Sequence, residues 1–192
     1  EDTTDDLIYA IKLKDALCEA GLPSDYSAVT ILVPDGAVAV SLQAHDDEYG
    51  FGTVLAIEKP ELIARMMVRA YPPYSFMRFA EKAKADEDFE CIVIGFGSTG
   101  QAALRQLVMN GQFDGSNFHA TIIADKYSVL AGSFFHKYPG ILSNYRIDIM
   151  ETNARSVEFY AFLKDSFPSL NYVAVCTGDE TENNEIARDI TD

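Results

Sequence analysis

Gly95-Phe96-Gly97-Ser98-Thr99-Gly100 lies between an apolar run, Cys91-Ile92-Val93-Ile94, and a segment of helical pattern, Gln101-Ala102-Ala103-Leu104-Arg105-Gln106-Leu107-Val108. The order is strand, glycine turn, helix, and it constrains the chain more than any other feature. Glycines punctuate many turns, so a bare G-x-G-x-x-G says little, but both flanks here have the form that a phosphate-cradling turn requires. Gly95 lets the chain leave the strand sharply, and Gly97, lacking a Cβ, lets a diphosphate approach the backbone. Gly100, with Ala103 one turn on, allows the helix to lie close on the sheet, while the unbonded N–H groups of the first turn face an anion. Phe96, Ser98 and Thr99 complete the loop. A tight turn that binds nothing is the plainer alternative.

The chain has 192 residues, 48% hydrophobic and 23% charged, enough to bury a full core. Its 30 acidic against 15 basic residues give a net charge of −15, which repels nucleic acid and anionic membrane at long range. A dinucleotide stays compatible, because backbone amides act locally and distant carboxylates are screened beyond roughly 8 Å. Cys18, Cys91 and Cys176 are far apart and sit in apolar contexts, as reduced core thiols would. The apolar stretches 29–33 and 62–68 are far shorter than the roughly 20 residues a membrane span needs. The expectation is a cytoplasmic chain without membrane insertion. No basic-then-apolar leader is read, and Glu1 falls inside a helical pattern, as in a cut piece.

Residues 5–20 place Leu7, Ala10, Ile11 and Cys18 on one helical face, with Gly21 and Pro23 as the stop. Strands are expected at 28–33, 37–42 and 53–57, and a helix entered at Pro60 and ended by Pro72-Pro73. The charge-rich stretch 76–88 reads as a connecting helix between an N-terminal α/β segment, 1–75, and a domain over 89–192. From Phe89 onward, strands (90–94, 120–124, 145–149, 172–176) alternate with helices (98–110, 128–135, 156–167). That is an α/β fold with a doubly wound, mainly parallel, Rossmann-like sheet, whose helix from Ser156 buries Phe159, Phe162, Leu163 and Phe167. The N-terminal segment either completes this sheet or stands apart as a small unit.

The strand Thr121-Ile122-Ile123-Ala124 ends in Asp125, where a carboxylate that binds ribose hydroxyls belongs. An acid there favours NAD(H) or an adenine nucleotide over NADP, a preference that the adjacent Lys126 weakens. Asn153, after the third strand, is a candidate adenine contact. Thr177 and Gly178 end the fourth strand and form the second lip of the crevice. GFGSTG, a strand ending in Asp125, and the closing Thr177-Gly178-Asp179-Glu180-Thr181-Glu182-Asn183 together resemble the nucleotide-binding half of potassium-conductance regulator domains, the RCK or TrkA-N family, over residues 89–192. The resemblance implies a regulatory sensor of NAD(H) or of ADP, ATP or AMP. It implies that Gly95, Gly97 and Gly100 hold the pyrophosphate, Asp125 the ribose, and Thr177, Gly178, Asp179 and Asn183 the ligand-facing strand end. A homo-oligomer coupled to a membrane channel or transporter also follows from it. The chain departs from the family at Glu151-Thr152-Asn153, where a glycine-aspartate pair is usual. Asp2-Thr3-Thr4-Asp5-Asp6-Leu7-Ile8 echoes Glu180-Thr181-Glu182-Asn183-Asn184-Glu185-Ile186, as if residues 1–71 were the trailing part of a preceding repeat.

Hydride transfer needs a proton-handling group, and none declares itself. His45, His119 and His136 are scattered without metal-ligand spacing, and His119 and His136 read as boundary or surface residues. The 134–140 stretch reads as a helix end with a proline-glycine turn, or as a cap near the ligand. A non-catalytic nucleotide-binding module is therefore expected, with an NAD-dependent oxidoreductase fragment as the alternative.

Overall fold

Apolar β-rich runs separated by amphipathic helices are set up to pair in parallel, because a crossover helix carries the chain back to the starting edge of the sheet. A computed structural model describes residues 3–22, 28–33, 38, 40, 53–80 and 83–191, and every strand pair in it is parallel. The fold is mixed α/β and falls into two compact units, residues 1–63 and 64–192.

In the first unit, helix α1 (Thr3–Glu19) precedes strands β1 (Ala28–Val33) and β2 (Thr53–Glu58), which pair with each other as a two-stranded sheet. Ala10 of α1 packs with Ile31, Val33 and Ala56, alternate residues that share one sheet face. The other face leaves Leu32 and Leu55 exposed. Completion of the main sheet by this segment is not found among the described residues, because β1 and β2 bond only to each other. Of the expected strand 37–42, only Val38 and Val40 are described, and both have helical backbone. Cys18 is exposed and not a core thiol, since the α1 face that packs on the strands carries Ala10 and Leu17.

Helix α2 (Lys59–Ala70) leads to a 3-10 turn at Pro73–Phe76. The connecting helix expected over 76–88 does not form. Phe79 bridges Ala85 antiparallel, and Glu87 accepts from the Arg78 backbone N–H and from its Nε, both at 2.8 Å. These cross-strand bonds hold the segment folded back on itself, with Ala83 at φ +59. The Arg78 contacts hold the Glu87 carboxyl below its ordinary range.

The main sheet has the order β5-β4-β3-β6, built from β3 (Phe89–Ile94), β4 (Phe118–Ile123), β5 (Arg146–Met150) and β6 (Leu170–Val175). Helix α3 (Ser98–Asn110) follows β3, and α4 (Tyr127–Lys137) and α5 (Pro139–Asn144) follow β4. Helix α6 (Val157–Ser166) follows β5, and α7 (Glu180–Thr191) follows β6. One sheet face, with Phe89, Cys91, Val93, Ala120 and Ile122, packs under Leu104 and Leu107 of α3 and Phe134 of α4. The opposite face, with Ile92, Ile94 and Ile123, packs under Phe159 and Leu163 of α6 and Ile186 of α7. Helices thus cover both faces, consistent with a doubly wound arrangement. Phe167, expected in the core, is exposed, because α6 ends at Ser166 and the chain turns into Phe167–Ser169.

The chain moves outward from β3 through β4 to β5, then crosses back to place β6 on the other side of β3. This reversal parts the connections at the carboxyl ends of β3 and β6 and opens a crevice there. At its base the backbones nearly touch. A Cβ on Gly100 would lie 2.0 Å from the Gly95 carbonyl oxygen. Gly100→Ala should therefore lower unfolding stability by about 3 kcal/mol, measured by urea denaturation. An unchanged midpoint would show that α3 can lift off the turn freely.

Candidate functional site

Gly95 takes φ +86, a conformation that favours glycine. A Cβ there would sit 2.3 Å from the carbonyl oxygen of Cys176 at the end of β6. Gly97 differs. Its φ is −68, and a Cβ on it would meet nothing within 4 Å. Gly95 and Gly100 are thus required by packing, while Gly97 borders open space.

A cavity of about 290 Å³ opens at this point. Gly95, Phe96 and Gly97 line it from the turn, Asp125 and Lys126 from the end of β4, Asn153 from beyond β5, and Thr177 from beyond β6. The fold therefore brings together predicted residues from four strand ends. Ser98, Thr99, Gly100, Gly178, Asp179 and Asn183 are not among its lining. Phe96 is 1% exposed, with its ring packed on Tyr127, Phe134 and Phe135.

The polar groups divide into those that hold the frame and those left available. Asn153 donates to Asp125 Oδ2 at 3.0 Å and accepts from the Arg155 N–H at 2.8 Å, which fixes the carboxylate at the strand end. Asn183 Oδ1 accepts from both the backbone N–H (2.8 Å) and the hydroxyl (2.9 Å) of Thr177. Asp179 Oδ1 accepts from the Glu182 N–H at 2.8 Å and so caps α7. Ser156 caps α6 in the same way, accepting from the Phe159 N–H at 3.0 Å. Helix α3 has no such cap: its N-cap is Gly97, and its first bond runs from the Gln101 N–H to the Gly97 carbonyl at 2.9 Å. The amides of Ser98, Thr99 and Gly100 have no partner among the described residues, and the start of α3 meets the cavity through its N-cap, Gly97.

Sequence reasoning missed several contributors. Gln101 Nε2 donates to the carbonyls of Phe96 and Leu130, each at 3.1 Å, tying the turn to α4. Leu130, Thr152, Ala154 and Glu182 also line the cavity. Glu182 could have been placed from the Asp179-x-x-Glu182 spacing of a helix start, whereas nothing local marks Leu130 or Ala154. His119 bonds Glu90 through Nδ1 and Asp148 through Nε2 at the other end of the strands, and His136 is exposed. Pro139 opens the short helix α5, so 134–140 is a helix-to-helix junction. His45 and Asp2 of the N-terminal echo lie outside the described residues.

Compared with known protein families, curated proteins and solved structures, the chain matches none. Among the described residues there is no His, Cys, Asp or Glu cluster suited to a metal ion, and no helix is long and apolar enough to cross a membrane.

Cys176 lies beneath the turn, and burial pushes its thiol up to about 11. Burial also raises Cys91. At pH 8 a thiol with a pKa near 11 is about one part in a thousand thiolate. A chromogenic disulfide should therefore titrate Cys18 at once in the native protein, and Cys91 and Cys176 only on unfolding. Rapid native reaction of Cys176 would mean that the turn does not seal it.

Proposed function

We propose that residues 64–192 form a Rossmann-like nucleotide-binding regulatory module, with the adenosine diphosphate part of NAD(H), or ADP, ATP or AMP, seated at the carboxyl ends of β3, β4 and β6. The observation that carries this reading is the uncapped start of α3 beside an open Gly97, with the Asp125–Asn153 pair across the same cavity. Free amides and a helix dipole suit a diphosphate, and a carboxylate held by an amide suits a ribose diol.

A volume of about 290 Å³ is near the lower limit for small-molecule sites, which start at roughly 300 Å³. It suits one nucleoside with its phosphates at the mouth, so the nicotinamide half of a dinucleotide extends beyond it. The ligands then share their recognised part, and differences among them arise outside the cavity. In this reading the ligand acts by binding one arrangement of subunits better than another, in a cytoplasmic homo-oligomer associated with a channel or transporter, as the RCK and TrkA-N resemblance implies.

Calorimetry with NAD, NADH, ADP and AMP tests the reading. Saturable binding is expected for each, and Gly97→Val should weaken it by at least about tenfold with an unchanged circular dichroism spectrum, because the new side chain enters the space of the diphosphate. Asp125→Ala should cost about three- to tenfold for all four, through the lost ribose hydrogen bonds. Absence of heat with every ligand would overturn the proposal.

A further inference from the structure

The amino end of the main sheet carries a second cavity, of about 520 Å³, on the side covered by α6. Glu90 of β3 pairs in register with His119 of β4, and His119 with Arg146 of β5. Their side chains form one chain of contacts: Glu90 bonds His119 Nδ1, while Asp148 Oδ2 receives His119 Nε2 at 2.8 Å and Arg146 Nη2 at 2.9 Å. His119 and Arg146 are thus already engaged by the carboxylates of this row. Asp165, contributed by α6, lines the same cavity, is exposed, and makes no ion pair among the described residues.

The cavity's inner wall holds a polar group of its own. Thr121 of β4 is 6% exposed, lines the cavity, and has no side-chain hydrogen-bond partner among the described residues. No fully buried side-chain polar atom there is left unbonded, so the Thr121 hydroxyl is one that solvent or a ligand reaches from the cavity. Thr121 shares its sheet face with Ile92 and Ile123, and Phe162 and Leu170 add apolar wall to the cavity. The result is a carboxylate at the rim, an apolar passage, and a neutral polar group inside.

We propose that this cavity binds a small organic cation: an ammonium at Asp165, an aliphatic body along Phe162 and Leu170, and a neutral polar group bonded to the Thr121 hydroxyl. The net charge of −15 draws cations toward the chain generally, and Asp165 with Thr121 selects among them. The site is separate from the glycine turn, being at the opposite end of the strands.

The test is a calorimetric or NMR titration of the full chain with 4-amino-1-butanol, 1-butylamine and 1,4-butanediol. The amino alcohol should bind best, butylamine about three- to tenfold more weakly for want of the Thr121 bond, and the diol not measurably up to about 10 mM. Asp165→Asn should weaken both amines by about fivefold. Thr121→Val should make the two amines bind alike, and Thr121→Ser should restore the difference, which separates the hydroxyl's role from any packing defect. No saturable binding of either amine by about 10 mM, or affinities unmoved by either the Asp165 or the Thr121→Val change, would overturn the proposal. Nucleotide titrations on the same variants should be unaltered, so failure here leaves the reading of the glycine turn standing.

Discussion

Everything at the crevice depends on how closely three backbone segments approach one another. The carbonyl oxygens of Cys176 and Gly95 occupy the places where Cβ atoms of Gly95 and Gly100 would otherwise be. That contact presses the end of β3, the start of α3 and the end of β6 into one layer, and side chains then lock it. Gln101 holds the turn from below through the Phe96 and Leu130 carbonyls, and Asn183 holds Thr177 from the β6 side. A packed aromatic cluster around Phe96 anchors the turn into the core. A rigid frame of this kind can leave polar groups unbonded at its mouth, because the surrounding contacts fix their position.

The parts of the molecule that were legible in the sequence are those encoded locally. Glycine conformation, strand period and helix period placed β3, α3, β4, β5, α6 and β6, and the turn's neighbours Asp125, Asn153 and Thr177 followed from their positions at strand ends. Segments governed by partners far along the chain were not legible. Residues 76–88 carry enough charge to read as a helix, but the Arg78–Glu87 pairing across nine positions folds them back. Phe167 has the spacing of a core residue, yet the helix stops just before it. Asp179 and Asn183 lie in the stretch that resembles a ligand-binding strand end, but their side chains are spent on capping α7 and holding Thr177. Leu130 reaches the cavity only because the Gln101 bond and the sheet order bring α4 beside the turn.

Composition alone would suggest that a chain of charge −15 avoids anions, yet the two ends of its main sheet differ. At the amino end, Glu90, Asp148 and Asp165 border the cavity, with His119 and Arg146 already bound to the first two. Desolvation acts to raise the Asp148 carboxyl, but hydrogen bonds from His119 and Arg146 prevail and hold it below its usual value. At the carboxyl end, Lys126 and unbonded main-chain amides offset Asp125 and Glu182. Screening over roughly 8 Å at physiological salt lets such local differences persist against the net charge.

Parallel strands linked by helices give every such sheet the same polarity: helices begin where strands finish, so amide dipoles converge at one end. Convergence alone does not make a binding site, because a helix start can be closed by its own cap; α4, which starts at Lys126 beside the same cavity, has no side-chain cap either. Ser156 satisfies α6 and Asp179 satisfies α7 from within the chain. Helix α3 begins at a glycine that has no side chain to offer, although nothing in its backbone angles or its surroundings demands a glycine there. Packing explains Gly95 and Gly100 completely and leaves Gly97 unexplained. Gly95 and Gly100 are glycines because a Cβ would strike backbone, whereas at Gly97 the missing side chain leaves the start of α3 without a side-chain cap and its neighbourhood open.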